Sequence, residues 1–557
     1  MFKPFIVLLI LILFSIPTRG EDTKLTIKYD DSNGLVSEPI RGIVQDHNGL
    51  LWLATQRGLT CFDGYQFHIV TFKPGDGAPI STNHIRNIGL TKGRDILCLT
   101  DNGVYLFKIS DYTFHAIPAA QQKRLSIMLD KAWKGFTDIW GVSWTADERC
   151  LYKTLSDHHP AKIVIGTENG RPRAFMRDRQ EHIWIGMSKP QGIRVYNRDW
   201  SVWRTISLPF APYVIYKTRN GEIWTGGKPG GLMKVGGQTI SHDAVYDIKE
   251  DAWGRLWIAT WEHGVKCIPN PESAKPVISP SLGGYKVRKI LITPKGNIIV
   301  ASTSGLMVGH IEKDYKKTKF RILKRNPNIY GSLCSDATMA VTRDKQGKIY
   351  ICTESSGLDM IDEQQLFSSS QAFTHLNVAS SSLSSDICNA FTLVGDSVLV
   401  IASSNSVMEY YIANHQTVTY GRTFWGDTCR FTETTPLILD DGSWLLGADE
   451  GAYMATPHNI YTRGYKPKIV FTTLSIDGGS EVFCLPEKRQ ICLDADERDI
   501  TIGFAAVDYT NNEGIMYRTS LDGSNWTHAT RNRRTTLFNL PTGSHTLKVQ
   551  STDKYGR

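Results

Sequence analysis

The 557-residue sequence lacks the cysteine patterns that bind metal ions. Its ten cysteines include no Cys-x-x-Cys pair, and none has a histidine at the spacing of a zinc site. The sequence therefore predicts no metal and no cofactor. Cys98 and Cys352 fall in apolar, strand-like segments, which favours buried thiols. Cys484 and Cys492 flank a short segment and could face each other across a hairpin, either as a disulfide or as two thiols.

Motifs of common enzyme classes are also missing. The sequence contains no Gly-x-Ser-x-Gly elbow, no His-Glu-x-x-His helix, no phosphate-binding loop and no Gly-x-Gly-x-x-Gly turn. Single acidic residues near glycines, such as Asp63, Asp101 and Asp359, are typical of turns. The phospho-acceptor helix and the ATP lid of a histidine kinase are missing as well. The sequence thus predicts a chain without catalytic residues of its own.

Long apolar runs are confined to the N-terminus. Residues 5–16 are apolar except for Ser15, and they follow Lys3 and precede Thr18 and Gly20. This run is too short to cross ~30 Å of hydrocarbon as a helix. We interpret residues 1–20 as a secretory signal peptide, which predicts a periplasmic mature chain. An uncleaved N-terminal anchor is the alternative.

The charge balance is only mildly basic. The sequence has 63 basic and 55 acidic side chains, and loss of Lys3 and Arg19 with the signal peptide leaves 61 basic ones. The excess is spread along the chain and is not clustered. This distribution argues against a nucleic-acid partner and is compatible with an acidic sugar.

What the sequence does contain is an internal repeat. Residues 40–55 and 245–260 each have an apolar strand, an Asp-x-x-Gly turn and an apolar-Trp-apolar-small-Thr strand. Weaker copies recur at intervals of 33 to 51 residues, and this period matches a four-stranded propeller blade. The residues at the tryptophan position are Trp52, Leu97, Trp140, Trp184, Trp224, Trp257, Ile299, Tyr350, Leu399 and Trp444.

This pattern predicts an all-β fold of about ten four-stranded propeller blades, in one or two propellers. Asp, Asn and Gly before several anchors, as at residues 219–221 and 440–442, supply the tight turns that strands need. A solenoid of helical repeats is the alternative. Alternation of apolar and polar residues around each anchor, together with β-branched side chains, favours strands.

The blade pattern resembles the two-component-regulator propeller repeat. That repeat builds the periplasmic sensors of hybrid two-component systems in Bacteroidetes. The copies at 40–67 and 245–267 match it well, and those near Trp184 and Trp224 match it moderately. The resemblance implies a sensor ectodomain. A full-length relative would continue into a membrane helix and a kinase.

The region from about residue 490 is similar to the Y_Y_Y-type Ig-like module that follows the propellers in this family. Residues 500–509 carry part of the similarity, and Tyr509 and Tyr517 stand where the module has tyrosines. Leu537 and His545 stand where further tyrosines are expected. The resemblance implies a β-sandwich that appears here in truncated form.

These patterns together predict four regions. We expect a signal peptide over 1–20, about seven blades over 21–330, about three further blades over 331–465, and the Ig-like module over 475–557. Sensors of this family usually carry about fourteen blades in two seven-bladed propellers. The second group of blades is therefore expected to be an incomplete propeller, and another partition of the ten blades is the alternative.

Loops after the tryptophan strand vary between copies, whereas the strands do not. Such loops lie at one end of a propeller, where a rigid scaffold holds variable side chains. Arg, Asn and Gln offer hydrogen bonds, and an indole offers a face for stacking on a sugar ring. The residues expected to contact a ligand are Arg57, Asn102, Lys189, Gln191, Lys228, Trp261, His263 and Glu354. Solvated loops without a ligand are the alternative.

The family resemblance implies a region that senses an oligosaccharide and signals through the Ig-like module to a membrane kinase. The charge balance and the basic loop residues Arg57, Lys189 and Lys228 favour an acidic oligosaccharide. A homodimer through the C-terminal module is expected when the protein is tethered to a membrane. The alternatives are a secreted propeller polysaccharide lyase or hydrolase, and a structural or protein-binding propeller.

Overall fold

In a computed structural model of the chain, antiparallel β-sheets account for almost all regular structure. The structure describes residues 26–35, 39–70, 83–93, 95–110, 112–130, 135–139, 141–147, 150–154, 161–166, 170–426, 429–456, 467–483 and 490–553. Within them lie eleven four-stranded sheets and one two-stranded sheet. Ten of the four-stranded sheets are blades, which confirms the all-β propeller prediction. The expected signal peptide, residues 1–20, lies outside the described residues.

Seven blades form a ring over residues 161–455, and we number them 4 to 10. Their strands are Pro172–Arg177, Ile183–Ser188, Gln191–Tyr196 and Val202–Ser207 in blade 4; Ala211–Lys217, Ile223–Lys228, Gly231–Lys234 and Thr239–Ser241 in blade 5; Val245–Glu250, Leu256–Thr260, Gly264–Ile268 and Ser279–Leu282 in blade 6; Val287–Ile292, Asn297–Ser302, Gly305–His310 and Phe320–Leu323 in blade 7; Thr338–Arg343, Lys348–Thr353, Leu358–Asp362 and Thr374–Leu376 in blade 8; Ala390–Val394, Val398–Ala402, Val407–Tyr411 and Gln416–Tyr420 in blade 9; and Leu437–Ile438, Trp444–Ala448, Gly451–Ala455 and Ala161–Ile165 in blade 10.

Blade 10 closes the ring with strands from both ends of the region. Ala161–Ile165 pairs antiparallel with Gly451–Ala455, nearly 300 residues later in the chain. Blade 10 also reaches both neighbours: the Phe431 amide donates to the Ser404 carbonyl at 2.9 Å, and the Thr434 hydroxyl donates to the Pro172 carbonyl at 3.3 Å. The outer strand of blade 10 thus comes from the start of the region and its other three strands from the end, which joins the two ends of the ring.

This closure corrects the expected grouping of blades. The predicted boundary near residue 330 falls inside the ring, because the first strands of blades 7 and 8 pack against each other. The complete set of seven follows the incomplete set of three, and not the reverse. The error has a physical origin, since period and turn chemistry give the number of blades but not the partner of the closing strand.

The three remaining blades form an arc at the N-terminal side. Their strands are Gly42–Gln45, Leu51–Thr55, Gly58–Phe62 and Phe67–Val70 in blade 1; Ile85–Leu90, Ile96–Thr100, Gly103–Lys108 and Thr113–Ala116 in blade 2; and Gly135–Thr137, Ser143–Ala146, Leu151–Thr154 and Thr26–Tyr29 in blade 3. Blade 1 lies in the middle and contacts both others. Blade 3, like blade 10, takes its outer strand from an earlier segment of the chain.

Three short helices and three 3-10 turns complete the described structure: Ala119–Asp130, Glu363–Leu366, Arg422–Trp425, Asp31–Asn33, Tyr315–Lys317 and Asn512–Gly514. The longest, Ala119–Asp130, covers one face of blade 2. Leu129 of this helix packs on Leu97, Leu99 and Val104, and the Asn87 side chain donates to the Leu129 carbonyl at 2.6 Å. The helix thus shields an apolar blade face from water.

The repeat motif has a direct structural cause. The Asp251 carboxylate accepts hydrogen bonds from the Trp253 and Arg255 amides of its turn and from the Trp257 indole at 2.9 Å. The same aspartate–indole bond, with the partners six residues apart, recurs in three other blades for Asp46 and Trp52, Asp138 and Trp144, and Asp178 and Trp184. Each aspartate satisfies buried N–H groups and fixes the hairpin between the first two strands.

Most predicted anchors lie on second strands as expected, but Trp140 is wrong. Residue 140 itself lies outside the described residues, and the buried anchor of blade 3 is Trp144 on Ser143–Ala146. Trp144 lies six residues after Asp138, whereas Trp140 lies only two after it. The spacing from the turn aspartate is thus a better guide to the anchor than the blade period.

Most of the aspartates and cysteines considered in the sequence analysis lie where they were predicted, and Asp359 does not. Asp63 caps a turn, where it accepts from the Tyr65 and Gln66 amides. Asp101 also lies in a turn. Asp359 is not a turn residue, because it lies fully buried on the third strand of blade 8. Cys98 and Cys352 are fully buried in strands, as predicted. Cys484 lies outside the described residues, so its pairing with Cys492 stays a prediction.

The C-terminal module has two facing sheets. One contains Val482–Phe483, Ile469–Ile476, Ile500–Ala506 and Arg534–Leu537, and the other contains Tyr517–Leu521 and Leu547–Ser551. Phe504 of the first sheet packs on Tyr517 of the second. A cleft of about 1340 Å³, lined in large part by apolar side chains, lies between the sheets. The arrangement is that of a sandwich and begins slightly before the predicted residue 475. Its assignment as an Ig-like Y_Y_Y module stays a prediction.

Candidate functional site at the axial entrance of the ring

Five consecutive blades of the ring share a β-bulge near the start of the first strand. In each, one residue is skipped in the pairing with the second strand. The skipped residues are Arg173, Tyr213, Tyr246, Arg288 and Met339 in blades 4 to 8. A bulge turns the extra side chain away from the regular alternation of the sheet. Since first strands line the axis of a propeller, the bulges aim one variable side chain per blade at its entrance.

Contacts between blades place these side chains together. The rings of Tyr213 and Tyr246 lie 5.2 Å apart, and Trp261 stacks on Tyr246 with centroids 5.0 Å apart. Trp261 follows the second strand of blade 6, so a loop side chain joins the bulge side chains. Tyr213 and Trp261 are half-buried, which leaves parts of both rings open to the entrance. The three rings form an aromatic wall across blades 5 and 6.

Four cations surround this aromatic wall. The Lys228 ammonium lies 4.7 Å from the Tyr246 centroid and 4.9 Å from that of Trp261. Arg288 lies 5.0 Å from the Trp261 centroid, and Lys286 lies 5.4 Å from it. Arg173 lies over the Tyr213 ring at 5.6 Å. Cation–π attraction holds the cations at the wall and orients their remaining N–H groups.

An ion pair crosses the entrance. The Arg288 guanidinium in blade 7 donates to the Glu433 carboxylate in blade 10 at 2.6 Å. Blades 7 and 10 are not neighbours in the ring, so this bond spans the axial opening. Glu433 therefore belongs to the same group of charges as Lys228, because burial lowers the pKa of Lys228 and the Glu433 carboxylate opposes that shift. We call Arg173, Tyr213, Lys228, Tyr246, Trp261, Lys286, Arg288 and Glu433 the entrance cluster.

The entrance cluster is electrostatically unsatisfied. Burial lowers the pKa of the Lys228 ammonium, Glu433 opposes this shift, and the charges of Arg288 and Arg173 add to it. The Nε–H groups of Arg173 and Arg288 are buried and have no hydrogen-bond partner among the described residues. Unpaired buried donors are costly. An anionic ligand would relieve the repulsion among these cations.

The predicted site residues fall at different places in the structure. Lys228 and Trp261 lie in the entrance cluster. His263 follows Trp261 but is 61% exposed and pairs with Asp243 at 2.7 Å. Lys189 and Glu354 are exposed at loops of blades 4 and 8, Gln191 is exposed at the start of the third strand of blade 4, and Arg57 and Asn102 are exposed in the arc. Their roles as ligand contacts stay predictions, and the structure does not bring Arg57 and Asn102 to the ring.

The sequence analysis missed the bulge residues, which supply half of the entrance cluster. A signal was present in the repeat itself. The bulge residue near the start of the first strand is Arg173, Tyr213, Tyr246 and Arg288 in blades 4 to 7, and Arg86 occupies the bulge of blade 2. Arg and Tyr thus recur at one position of the repeat. A polar residue that recurs at one position of an apolar strand marks a side chain that has left the core face.

Two of the repeats match a known family. Residues 34–57 and 239–262 match the family model described as two component regulator propeller. These two segments are two-component-regulator propeller repeats. Each match includes the Asp-x-x-Gly turn that first revealed the repeat and ends two residues after the second strand, in blades 1 and 6. The resemblance inferred from the sequence is thus confirmed for the propeller repeats.

Solved structures similar to these regulator-propeller repeats include two extracellular domains of hybrid two component systems from B. thetaiotaomicron. The BT4673 domain is 16% identical, covers 93% of this chain and 72% of its own, and gives a TM-score of 0.45. The BT3049 domain is 15% identical, with 96% and 98% covered and a TM-score of 0.31. Virginiamycin B lyase from Staphylococcus aureus is 12% identical, with 53% and 98% covered and a TM-score of 0.43. No curated protein matches the chain.

None of the helices in the described part of the chain is long and apolar enough to cross a membrane.

Proposed function

We propose that this chain is the extracytoplasmic ligand-sensing region of a two-component signalling system, and that it binds an acidic oligosaccharide at the entrance cluster. The regulator-propeller repeats support the signalling class. The observation that carries the ligand class is the convergence of four cations and an aromatic wall on one opening. Export to the periplasm belongs to the same proposal.

The chemistry of the entrance cluster fits a sugar that carries carboxylate or sulfate groups. The half-buried rings of Tyr213 and Trp261 offer apolar area for the C–H face of a pyranose ring, and the buried Tyr246 ring packs against both. The Arg173 guanidinium and the Lys228 and Lys286 ammonium groups can donate to an anionic oxygen. A neutral sugar would use the aromatic wall but leave these donors unpaired.

A lyase or hydrolase function is less well supported by the same residues. A tyrosine that acts as a general base needs a lowered pKa. Burial raises the pKa of both Tyr213 and Tyr246. Glu433 is tied to Arg288 and has no second carboxylate beside it in the described entrance cluster, whereas hydrolysis of glycosides uses a pair. We therefore infer that the ligand is bound and released unchanged.

Signal transfer through the C-terminal module is a further part of the proposal. Arg531 of this module donates to the Ser382 and Leu383 carbonyls and to the Thr419 hydroxyl at the edge of blade 9. The module also inserts Tyr509 into the arc. A ligand that reorients the ring could act on both contacts. Homodimer formation through the module would then carry the change to a partner chain.

Calorimetry with purified protein tests the ligand class. Oligogalacturonate and a sulfated oligosaccharide are compared with cello- and malto-oligosaccharides, each at low and physiological salt. We expect binding of an acidic ligand that weakens as salt screens the cations. Trp261→Ala and Arg173→Gln should each weaken it, whereas Arg57→Ala in the arc should not. Product analysis of the same mixtures should show no new reducing ends and no unsaturated sugars.

Two results would contradict the proposal in different ways. Tight, salt-independent binding of a neutral sugar would exclude the acidic class but leave sensing intact. Clear turnover of a polysaccharide would exclude the sensing role for this site and favour a propeller enzyme.

A further inference from the structure

A second polar cluster lies in blade 8, away from the entrance. Cys334, Asp359 and His375 place a thiol, a carboxylate oxygen and an imidazole nitrogen within 4.8 Å of one another. Asp359 and His375 are opposite each other on the third and fourth strands. Cys334 comes from the loop that leads into the blade. Three separate segments therefore converge on one point.

The polar contacts of this cluster are arranged around the carboxylate. Asp359 is fully buried and accepts from the Cys334 amide at 2.9 Å. Its other oxygen lies 2.5 Å from Nδ1 of His375. The Cys334 sulfur lies 3.4 Å from the Ser356 carbonyl. The backbone contact holds Cys334 and Asp359 in place without using the sulfur.

The second ring nitrogen of His375 provides an independent observation. Nε2 lies 2.7 Å from the Tyr330 carbonyl, which only accepts hydrogen bonds, so Nε2 carries the proton. Metal-binding histidines in proteins commonly donate their other N–H to a carbonyl or carboxylate in this way. Nδ1 faces Asp359 and Cys334 and donates to the Asp359 carboxylate, 2.5 Å away, in the protein without an ion. A metal ion bound between these groups would take the place of that proton.

We propose that Cys334, Asp359 and His375 bind one Zn²⁺ ion that joins the loop before blade 8 to its two outer strands. Thiolate, carboxylate and imidazole are all zinc donors, and water would complete a tetrahedral site. One thiolate and one carboxylate cancel the charge of the ion, and this neutrality makes burial of the complex feasible. The expectation of no metal, drawn from local spacing, missed ligands that are 25 and 16 residues apart in sequence.

Metal binding to the full chain tests this site directly. Protein freed of metal is titrated with Zn²⁺ in equilibrium dialysis and with Co²⁺ in absorption spectroscopy. We expect one ion per chain, a higher unfolding temperature with Zn²⁺, and a thiolate-to-cobalt charge-transfer band. Cys334→Ser should remove that band, and His375→Gln should weaken binding by about tenfold or more. The matched controls Cys492→Ser and His263→Gln alter exposed residues and should bind as the parent does.

A measurement on the unaltered protein guards against variants that fail to fold. Zn²⁺ should slow alkylation of Cys334, which is partly accessible, and leave the alkylation of exposed Cys492 unchanged. Failure of the parent chain to bind either ion, or equal alkylation of Cys334 with and without Zn²⁺, would overturn the proposal. In that case the cluster is a buried His–Asp pair with a neighbouring thiol. Neither result bears on the entrance cluster.

Discussion

The hydroxyl of Tyr509 donates a hydrogen bond to the Phe62 carbonyl at 2.9 Å, across 447 residues of sequence. The same oxygen accepts from the Leu51 amide at 3.0 Å. Tyr509 is 2% exposed and packs against the Phe62 and Trp144 rings. A side chain of the C-terminal module thus completes the core of blades 1 and 3. The Tyr509 hydroxyl thus anchors the module to the arc through hydrogen bonds to backbone groups of two strands of blade 1.

Removal of this hydroxyl should loosen the module. Tyr509→Phe keeps the ring but leaves the buried Phe62 carbonyl and Leu51 amide without their partner. We expect a loss of about 1–3 kcal/mol in the free energy of unfolding. Amide hydrogen exchange should increase in residues 507–517 and in blade 1. Tyr330→Phe, at a tyrosine that is 90% exposed, is the matched control and should change neither. Equal effects of both substitutions would contradict the anchoring role.

The repeat chemistry predicts a stabilising substitution in blade 5. Trp224 is fully buried, and its indole N–H has no partner among the described residues. Thr218 stands six residues earlier, where other blades have the aspartate that accepts this bond. Thr218→Asp should supply the acceptor and raise the free energy of unfolding by about 1 kcal/mol. Denaturant unfolding at pH 7 measures it.

The reverse change in blade 6 is the comparison. Asp251→Ala leaves the Trp257 indole, two turn amides and the buried Arg255 side chain without their acceptor. We expect a loss of about 3 kcal/mol or more, because both a buried charge and several donors become unpaired. If Thr218→Asp destabilises the protein as Asp251→Ala does, the turn of blade 5 differs from that of blade 6 in more than this side chain.

The sequence predicted those elements that local chemistry specifies. The Asp-x-x-Gly turn and the following tryptophan are fixed by bonds over six residues, so the repeat revealed both the blades and their number. The closing strand Ala161–Ile165 pairs with residues 451–455, and no local pattern identifies such a partner. The grouping of blades therefore could not be read correctly.

The residues of the candidate site were likewise predicted where local sequence specifies them and missed where strand pairing does. Lys228 and Trp261 were found because loops vary visibly between copies of the repeat. Tyr246 and Arg288 were missed because a bulge, which depends on the pairing register, decides that they leave the sheet face. Cys334 and His375 meet only through the pairing of two outer strands and a loop. Local spacing carries no information on such a meeting.

Stability should fall as pH rises through the acidic to neutral range because of Glu409. This residue of blade 9 is buried and accepts from the Tyr420 hydroxyl at 2.8 Å. Burial raises its pKa from 4.5 to about 7, and the tyrosine contacts oppose the shift only partly. The native state therefore holds a proton between these two pH values that the unfolded chain releases. Stability is lost as pH rises through this window.

Glu409→Gln isolates this contribution. Glutamine keeps an acceptor for Tyr420 but cannot ionise. The gain in the free energy of unfolding over the parent should grow from near zero at the acid end of the window to about 3 kcal/mol above pH 7. Asp441→Asn, in a turn of blade 10, is the control for general charge effects. A gain that does not vary with pH would show that Glu409 ionises normally in the folded protein.

Glu433 gives the entrance cluster a prediction with a defined sign. Its carboxylate sits among four cations and neutralises part of their charge through the 2.6 Å bond to Arg288. Glu433→Gln removes one negative charge close to the proposed anion position. An acidic oligosaccharide should then bind more tightly, by about 1 kcal/mol or roughly fivefold at low salt. The gain should shrink as salt rises, and a neutral sugar should bind equally to parent and variant.

Glu354→Gln, at an exposed loop carboxylate of blade 8, is the matched control. Weaker binding of the acidic ligand by Glu433→Gln alone would mean that Glu433 serves chiefly to position Arg288, and that attraction by the four cations does not decide which sugar is bound.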